Sequence, residues 1–112
     1  GAGLANGGAA SSKSLQNPKE RRRLRAEKQK QIAPVKKEAE ALEAAISESE
    51  KFISVEEQAM LDPVFFKSSE APDRIRALEK RREKMDEDML RWEKRLNELE
   101  ALQNELADMD AE

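Results

Sequence analysis

The sequence contains no cysteine, no histidine and no tyrosine, and its 112 residues include only one tryptophan and three phenylalanines. Without cysteine there are no disulfides, which is typical of reducing compartments. Without cysteine and histidine the chain lacks the usual zinc ligands, thiol nucleophiles and imidazole bases, so we expect no enzyme activity, metal site or cofactor. No apolar run reaches the length of a bilayer and no signal-peptide pattern is present, so we expect a cytoplasmic chain without membrane contact.

Charge is abundant and unevenly distributed. Lys, Arg, Asp and Glu make up 40% of the residues, yet the formal net charge is only −3. Residues 13–37 contain ten basic and two acidic residues, a net charge of +8, whereas residues 38–112 contain eleven basic and twenty-two acidic residues, a net charge of −11. This composition is too poor in apolar bulk for a globular core but sufficient for one coiled-coil seam, so we expect one domain.

Two stretches carry apolar residues at heptad spacing. The first contains Ile32, Val35, Ala39, Leu42, Ile46 and Ile53. The second contains Ile75, Leu78, Met85, Met89, Trp92, Leu96, Leu99 and Leu106. A narrow apolar stripe on a helix has to be buried against a partner stripe, and the nearest one lies on the same chain. We therefore predict an all-α fold, a monomeric two-helix antiparallel coiled-coil hairpin.

Turn and cap residues predict where the helices begin and end. Asn17 is the predicted N-cap of helix 1, and Pro34 is expected to kink or break that helix. A capping-box pattern at Ser54 leaves open whether helix 1 ends near residue 53 or continues to about 61. Asp62 is expected to cap one helical turn. The predicted segments are a flexible, disordered linker or cloning remnant at 1–16 and a hairpin at 17–112, with helix 1 from about 18, the turn at about 62–72 and helix 2 at about 73–108.

Folding the chain about residue 65 sets the expected register. The expected layers are Val35 with Leu96, Ala39 with Trp92, Leu42 with Met89, and Ile46 with Met85. Polar Arg82 and Gln103 also fall on the predicted seam, where they would help to fix the register. Phe52, Phe65 and Phe66 are expected to close the turn end as an apolar plug, with one of the adjacent pair left exposed.

The basic first helix is the candidate binding site for nucleic acid, because Lys and Arg release counterions when they contact phosphates. The predicted contact residues are Lys19, Arg21, Arg22, Arg23, Arg25, Lys28, Lys30, Lys36 and Lys37. No aromatic residues interleave with them, so we expect sequence-tolerant phosphate contacts rather than base stacking. The competing interpretation is a solvated face that the acidic end of helix 2 partly neutralises.

Three segments carry a resemblance to a known family: KKEAEALEAAI (36–46), LDPVFF (61–66) and RWEKRLNELEAL (91–102). Together they resemble the C-terminal coiled-coil domain of ABC-F tandem ATPases of the Uup and YheS type. The resemblance covers about residues 18–104. It implies an auxiliary domain of an ATPase that acts in translation, contacting ribosomal RNA, DNA or the ribosome, while no nucleotide-binding motif lies in this chain.

Two alternatives remain open. One is a structural or protein-interaction coiled-coil spacer without nucleic-acid binding. The other is a tRNA-contacting helical arm similar to that of seryl-tRNA synthetase.

Overall fold

The structure, a computed structural model, describes residues 17–111. The fold is all-α, with two long helices that pack together as an antiparallel coiled-coil hairpin and no strand among the described residues, which confirms the predicted fold class. Helix α1 is Pro18–Ala59, a short 3-10 helix is Pro63–Lys67, and helix α2 is Ala71–Ala111. The predicted linker at residues 1–16 lies outside the described residues.

Asn17 is the N-cap of α1, as predicted from the sequence. Its Oδ1 accepts hydrogen bonds from the backbone amides of Lys19 at 3.0 Å and Glu20 at 3.3 Å. These amides belong to the first turn, where no helical carbonyl is available to them. The cap therefore fixes the start of the helix that carries the basic segment.

Helix α1 runs without a break through Pro34 and Ser54. Of the two outcomes expected at Pro34, a kink or a break, the break does not occur. A proline inside a helix removes one backbone hydrogen bond, but Val35 beside it is buried in the seam and holds this turn in place. Burial also keeps the helix continuous at Ser54, because Ile53 next to it and Glu56 less than one turn later are both buried. The helix ends at Ala59, between residues 53 and 61, the two possible ends that the sequence left open.

The turn is built around Asp62, whose Oδ1 accepts from the amide of Val64 at 3.0 Å. This places Phe65 in a buried position, while Phe66 remains 56% exposed. The rings of these two phenylalanines meet edge to face with centroids 5.1 Å apart. Only one of the adjacent phenylalanines closes the end of the hairpin. The next helix begins at Ala71, two residues before the expected start.

The described chain divides into two units, which are treated separately below. The first unit consists of residues 17–36 with residues 97–111, and the second is Lys37–Leu96. Ion pairs between the helices show the antiparallel pairing inside each unit. In the first unit they are Arg25–Asp110 at 3.5 Å and Lys28–Glu105, and in the second they are Glu38–Arg95 at 3.7 Å, Glu56–Arg74 and Glu57–Arg82 at 2.8 Å.

In the second unit, the buried residues of α1 follow alternating steps of three and four. They are Ala39, Leu42, Ile46, Ser49, Ile53 and Glu56. On α2 the buried residues are Ala71, Leu78 and Asp88, with Met85 and Trp92 half-buried. The heptad periodicity therefore holds on both helices, although the seam contains three polar residues.

The facing edge of α2 differs from the prediction by one residue. Met89 is 41% exposed and Leu96 is 36% exposed, while Asp88 is buried. Arg82 and Gln103, which were expected on the seam, are exposed as well. Asp88 can occupy the seam because the Lys84 Nζ lies 2.6 Å from its Oδ2. Helix α2 is therefore rotated about its own axis relative to the predicted packing, and this rotation leaves part of its apolar surface uncovered.

Candidate nucleic-acid interface

The predicted basic residues all lie on α1, and all except Lys37 belong to the first unit. An α-helix advances about 100° per residue, so these side chains are spread around its whole circumference. The seam side of this segment is marked by the half-buried Leu24, Lys28 and Ile32. The structure therefore does not bring all nine together on one surface.

Three of the nine basic side chains are engaged in ion pairs. Arg23 donates to both Glu20 and Glu27 on its own helix, and its Nη1 lies 2.7 Å from Glu27 Oε1. The hydrogen bond from Arg23 lowers the pKa of Glu20. Arg25 and Lys28 pair with acidic residues of α2. These three cations are partly neutralised before any ligand approaches.

The remaining six make no ion pair with a described residue, but they differ in exposure. Arg21 is half-buried and its Nε is shielded from solvent without an acceptor. Lys36 and Lys37 are exposed, and they lie on either side of the boundary between the two units. The others are Lys19, Arg22 and Lys30, which are exposed and belong to the first unit.

These last three form one surface, which we call the outer basic face. By helix geometry Lys19, Arg22 and Lys30 lie on the side of α1 that is opposite to the seam. Small residues, Ala26 and Ala33, share this side and leave the cations accessible. The rise of the helix places Lys19 about 4.5 Å from Arg22 and about 16 Å from Lys30 along the axis. The sequence alone named all three, but it did not separate them from their paired neighbours.

The described part of the first unit is close to neutral, with eight basic and seven acidic residues. Its five α2 acids include Glu105 and Asp110, which pair with α1. Charge is nevertheless segregated, because the outer basic face contains no acidic partner within ion-pairing distance. The pairing between the helices was expected from the sequence, whereas its restriction to two cations follows from the geometry.

Residues 17–111 contain no group of three or more acidic side chains arranged to hold a metal ion. None of the helices described there is long and apolar enough to cross a membrane. No protein-family model, curated protein or solved structure matches this chain.

Proposed function

We propose that this hairpin binds duplex or structured nucleic acid through the outer basic face of α1. One observation carries the proposal: Lys19, Arg22 and Lys30 are exposed on one side of the helix and have no ion-pair partner among the described residues. Exposed cations without an ion-pair partner can bind phosphates and release their counterions without first breaking a contact inside the protein. Arg23, Arg25 and Lys28 contribute less, since they would have to leave carboxylates that already neutralise them.

The chemistry of this face favours weak and sequence-tolerant binding. Three phosphate contacts correspond to a slope of about −2.7 for log affinity against log salt concentration on duplex DNA. No aromatic side chain lies on this part of α1, so bases have no ring on which to stack. Phosphate contacts alone position a ligand without reading its sequence.

The ABC-F resemblance supplies the setting of this proposal. In that setting the chain is an auxiliary domain of a cytoplasmic ATPase that acts in translation, and its ligand is ribosomal RNA or another structured nucleic acid. The hydrolysis belongs to the parent protein, and we assign no catalytic residue to this chain.

The test is a charge reversal with a matched control. Lys19→Glu, Arg22→Glu and Lys30→Glu are combined in one variant. The control reverses the same number of exposed, unpaired cations on α2, namely Lys80→Glu, Arg91→Glu and Lys94→Glu. Both variants have the same net charge, so a difference between them reports position rather than overall charge.

Affinity is measured by fluorescence anisotropy with a short duplex RNA and a duplex DNA of the same sequence. We expect the outer-face variant to lose binding to both at low salt, while the control keeps most of its affinity. Equal losses in the two variants would show that net charge alone is responsible. An undetectable affinity of the unmodified chain at low salt would refute the proposal.

A second candidate is a protein-interaction or spacer coiled coil. It is favoured by the Arg25–Asp110 and Lys28–Glu105 pairs, because they use basic residues of α1 to hold the two helices together. Sedimentation with purified ribosomes separates the two proposals. The nucleic-acid module sediments with ribosomes and loses this ability in the outer-face variant, whereas a spacer does not sediment with them.

A further inference from the structure

A groove of about 350 Å³ lies beside the helix seam in the second unit. Its floor is apolar and consists of Ile46, Met89 and Trp92, and its rim on α1 carries Glu43, Ser47 and Glu50. Ile46 is buried, but Met89 is 41% exposed. The groove is thus an open apolar channel with carboxylates along one edge.

The groove exists because α1 covers only one side of the apolar stripe on α2. This stripe consists of Met85, Met89, Trp92 and Leu96, at the i, i+4, i+7 and i+11 spacing of a helix-packing face. Asp88 occupies the seam instead of Met89, and Leu96 remains 36% exposed. A helix that presents such a stripe can contact a second neighbour in addition to α1.

Carboxylates line the groove on α1, and two more share the helix face of Met89 on α2. Glu43 and Glu50 lie on α1, while Asp86 and Glu93 lie three residues before and four residues after Met89 on α2. All four are exposed, and none of them has an ion-pair partner among residues 17–111. Lys51, which lies near this rim, pairs with Glu48 at 3.5 Å. The border of the groove therefore carries uncompensated negative charge.

We propose that this groove docks a third helix, an amphipathic helix of a protein partner whose apolar stripe is flanked by Lys and Arg. Its apolar residues would cover Met89, Trp92 and Leu96, as in the helix-in-groove mode of recognition. Its basic flanks would neutralise the rim, in the way that oppositely charged positions select partners in coiled coils.

Charge argues against a second copy of this chain as the occupant. A two-fold symmetric contact would bring the same surface of each copy together, so the acidic residues Glu43, Glu50, Asp86 and Glu93 of one copy would face the same acidic set of the other. Like charges at such positions oppose association. The basic segment of another copy does not supply the apolar stripe either, because its outer side carries only Ala26 and Ala33 between the cations.

The probe is a synthetic peptide of three heptads with Leu at the a and d positions and Lys at the flanking e and g positions. A matched peptide carries Glu at e and g, and neither contains tryptophan. Trp92 is the only tryptophan of the chain and lines the groove, so its emission reports directly on occupancy. We expect the Lys peptide to shift the emission to shorter wavelength and protect it from acrylamide quenching, and the Glu peptide to do neither.

Two pairs of variants locate the peptide. Met89→Lys should weaken binding of the Lys peptide by about tenfold or more, while Leu90→Lys, at a 62% exposed position on the same turn, should not. Glu43→Lys combined with Glu50→Lys should reverse the preference in favour of the Glu peptide, whereas Glu48→Lys outside the groove should leave it unchanged. Circular dichroism establishes that each variant remains helical.

Three outcomes would overturn the proposal. One is equal binding of the two peptides, which would mean that the rim does not select charge. Another is unchanged binding in Met89→Lys, which would place the peptide elsewhere. The third is concentration-dependent dimerisation of the unmodified chain that Met89→Lys abolishes in sedimentation equilibrium, because it would identify a second copy as the occupant.

Discussion

The rotation of α2 can be tested by comparing two substitutions of similar size, Leu78→Ala and Met89→Ala. Both residues belong to the apolar heptad pattern of the second stretch, so the pattern alone predicts comparable losses of stability. The structure separates them, because Leu78 is 2% exposed and Met89 is 41% exposed. Their ranking therefore reports which edge of α2 faces α1.

The expected magnitudes follow from burial. Removing the buried Leu78 side chain loses its transfer free energy and leaves a cavity, which together cost about 2–5 kcal/mol. Met89 buries little more than half of its surface and borders an open groove, so its removal costs roughly 1 kcal/mol. Stability of the order of 5–10 kcal/mol is ordinary for a chain of this length, so the first change takes away a large share.

The assay is urea unfolding followed by far-UV circular dichroism, with the free energy of unfolding taken from the midpoint and slope. Leu90→Ala serves as the control at a 62% exposed position and should change stability by less than about 0.5 kcal/mol. Equal losses of unfolding free energy for Leu78→Ala and Met89→Ala would show that Met89 is packed in the seam, and would refute the rotation of α2.

Two further predictions concern the turn end of the hairpin. Arg74 lowers the pKa of Glu56 chiefly by a hydrogen bond, so this carboxylate stabilises the fold above its ordinary pKa of 4.5 and stops doing so as pH falls through the lowered value. Glu56→Gln should therefore reduce the thermal midpoint at neutral pH and match the unmodified chain in acid; a constant difference would contradict the assignment. Phe65→Ala should reduce the free energy of unfolding by about 3–5 kcal/mol because Phe65 is buried, whereas Phe66→Ala should reduce it much less. The measurement is chemical unfolding, and equal losses for the two variants would contradict the prediction.

The polar residues of the seam were the part that pattern reasoning missed. Asp88 was overlooked because a carboxylate is almost never buried without a partner, and its partner Lys84 lies one turn away on the exposed side. Arg81 likewise reaches the ring of Phe52, with 4.8 Å from its guanidinium carbon to the centroid. A count of apolar residues gives such positions no weight, so the expected seam passed through Met89 instead.

The basic residues of α1 show the same division between what the sequence predicts and what the structure decides. The nine basic residues were evident from the sequence, because a run of Lys and Arg on a helix is visible without coordinates. Which of them are accessible was not evident. Arg25 is paired because the second helix brings Asp110 within 3.5 Å, at a sequence separation that no local pattern encodes.

The sequence by itself determined the helices, their antiparallel pairing and the position of the turn. Heptad periodicity and the Asp62-Pro63 turn are local signals, and a narrow apolar stripe has only the neighbouring stripe on which to pack. The tertiary structure alone decided the rotation of α2 and the uncovered groove at Met89 and Trp92. An apolar stripe determines which side of a helix is buried, but not which of two neighbouring residues faces the partner helix. That depends on how the side-chain layers pack and on which polar groups find partners.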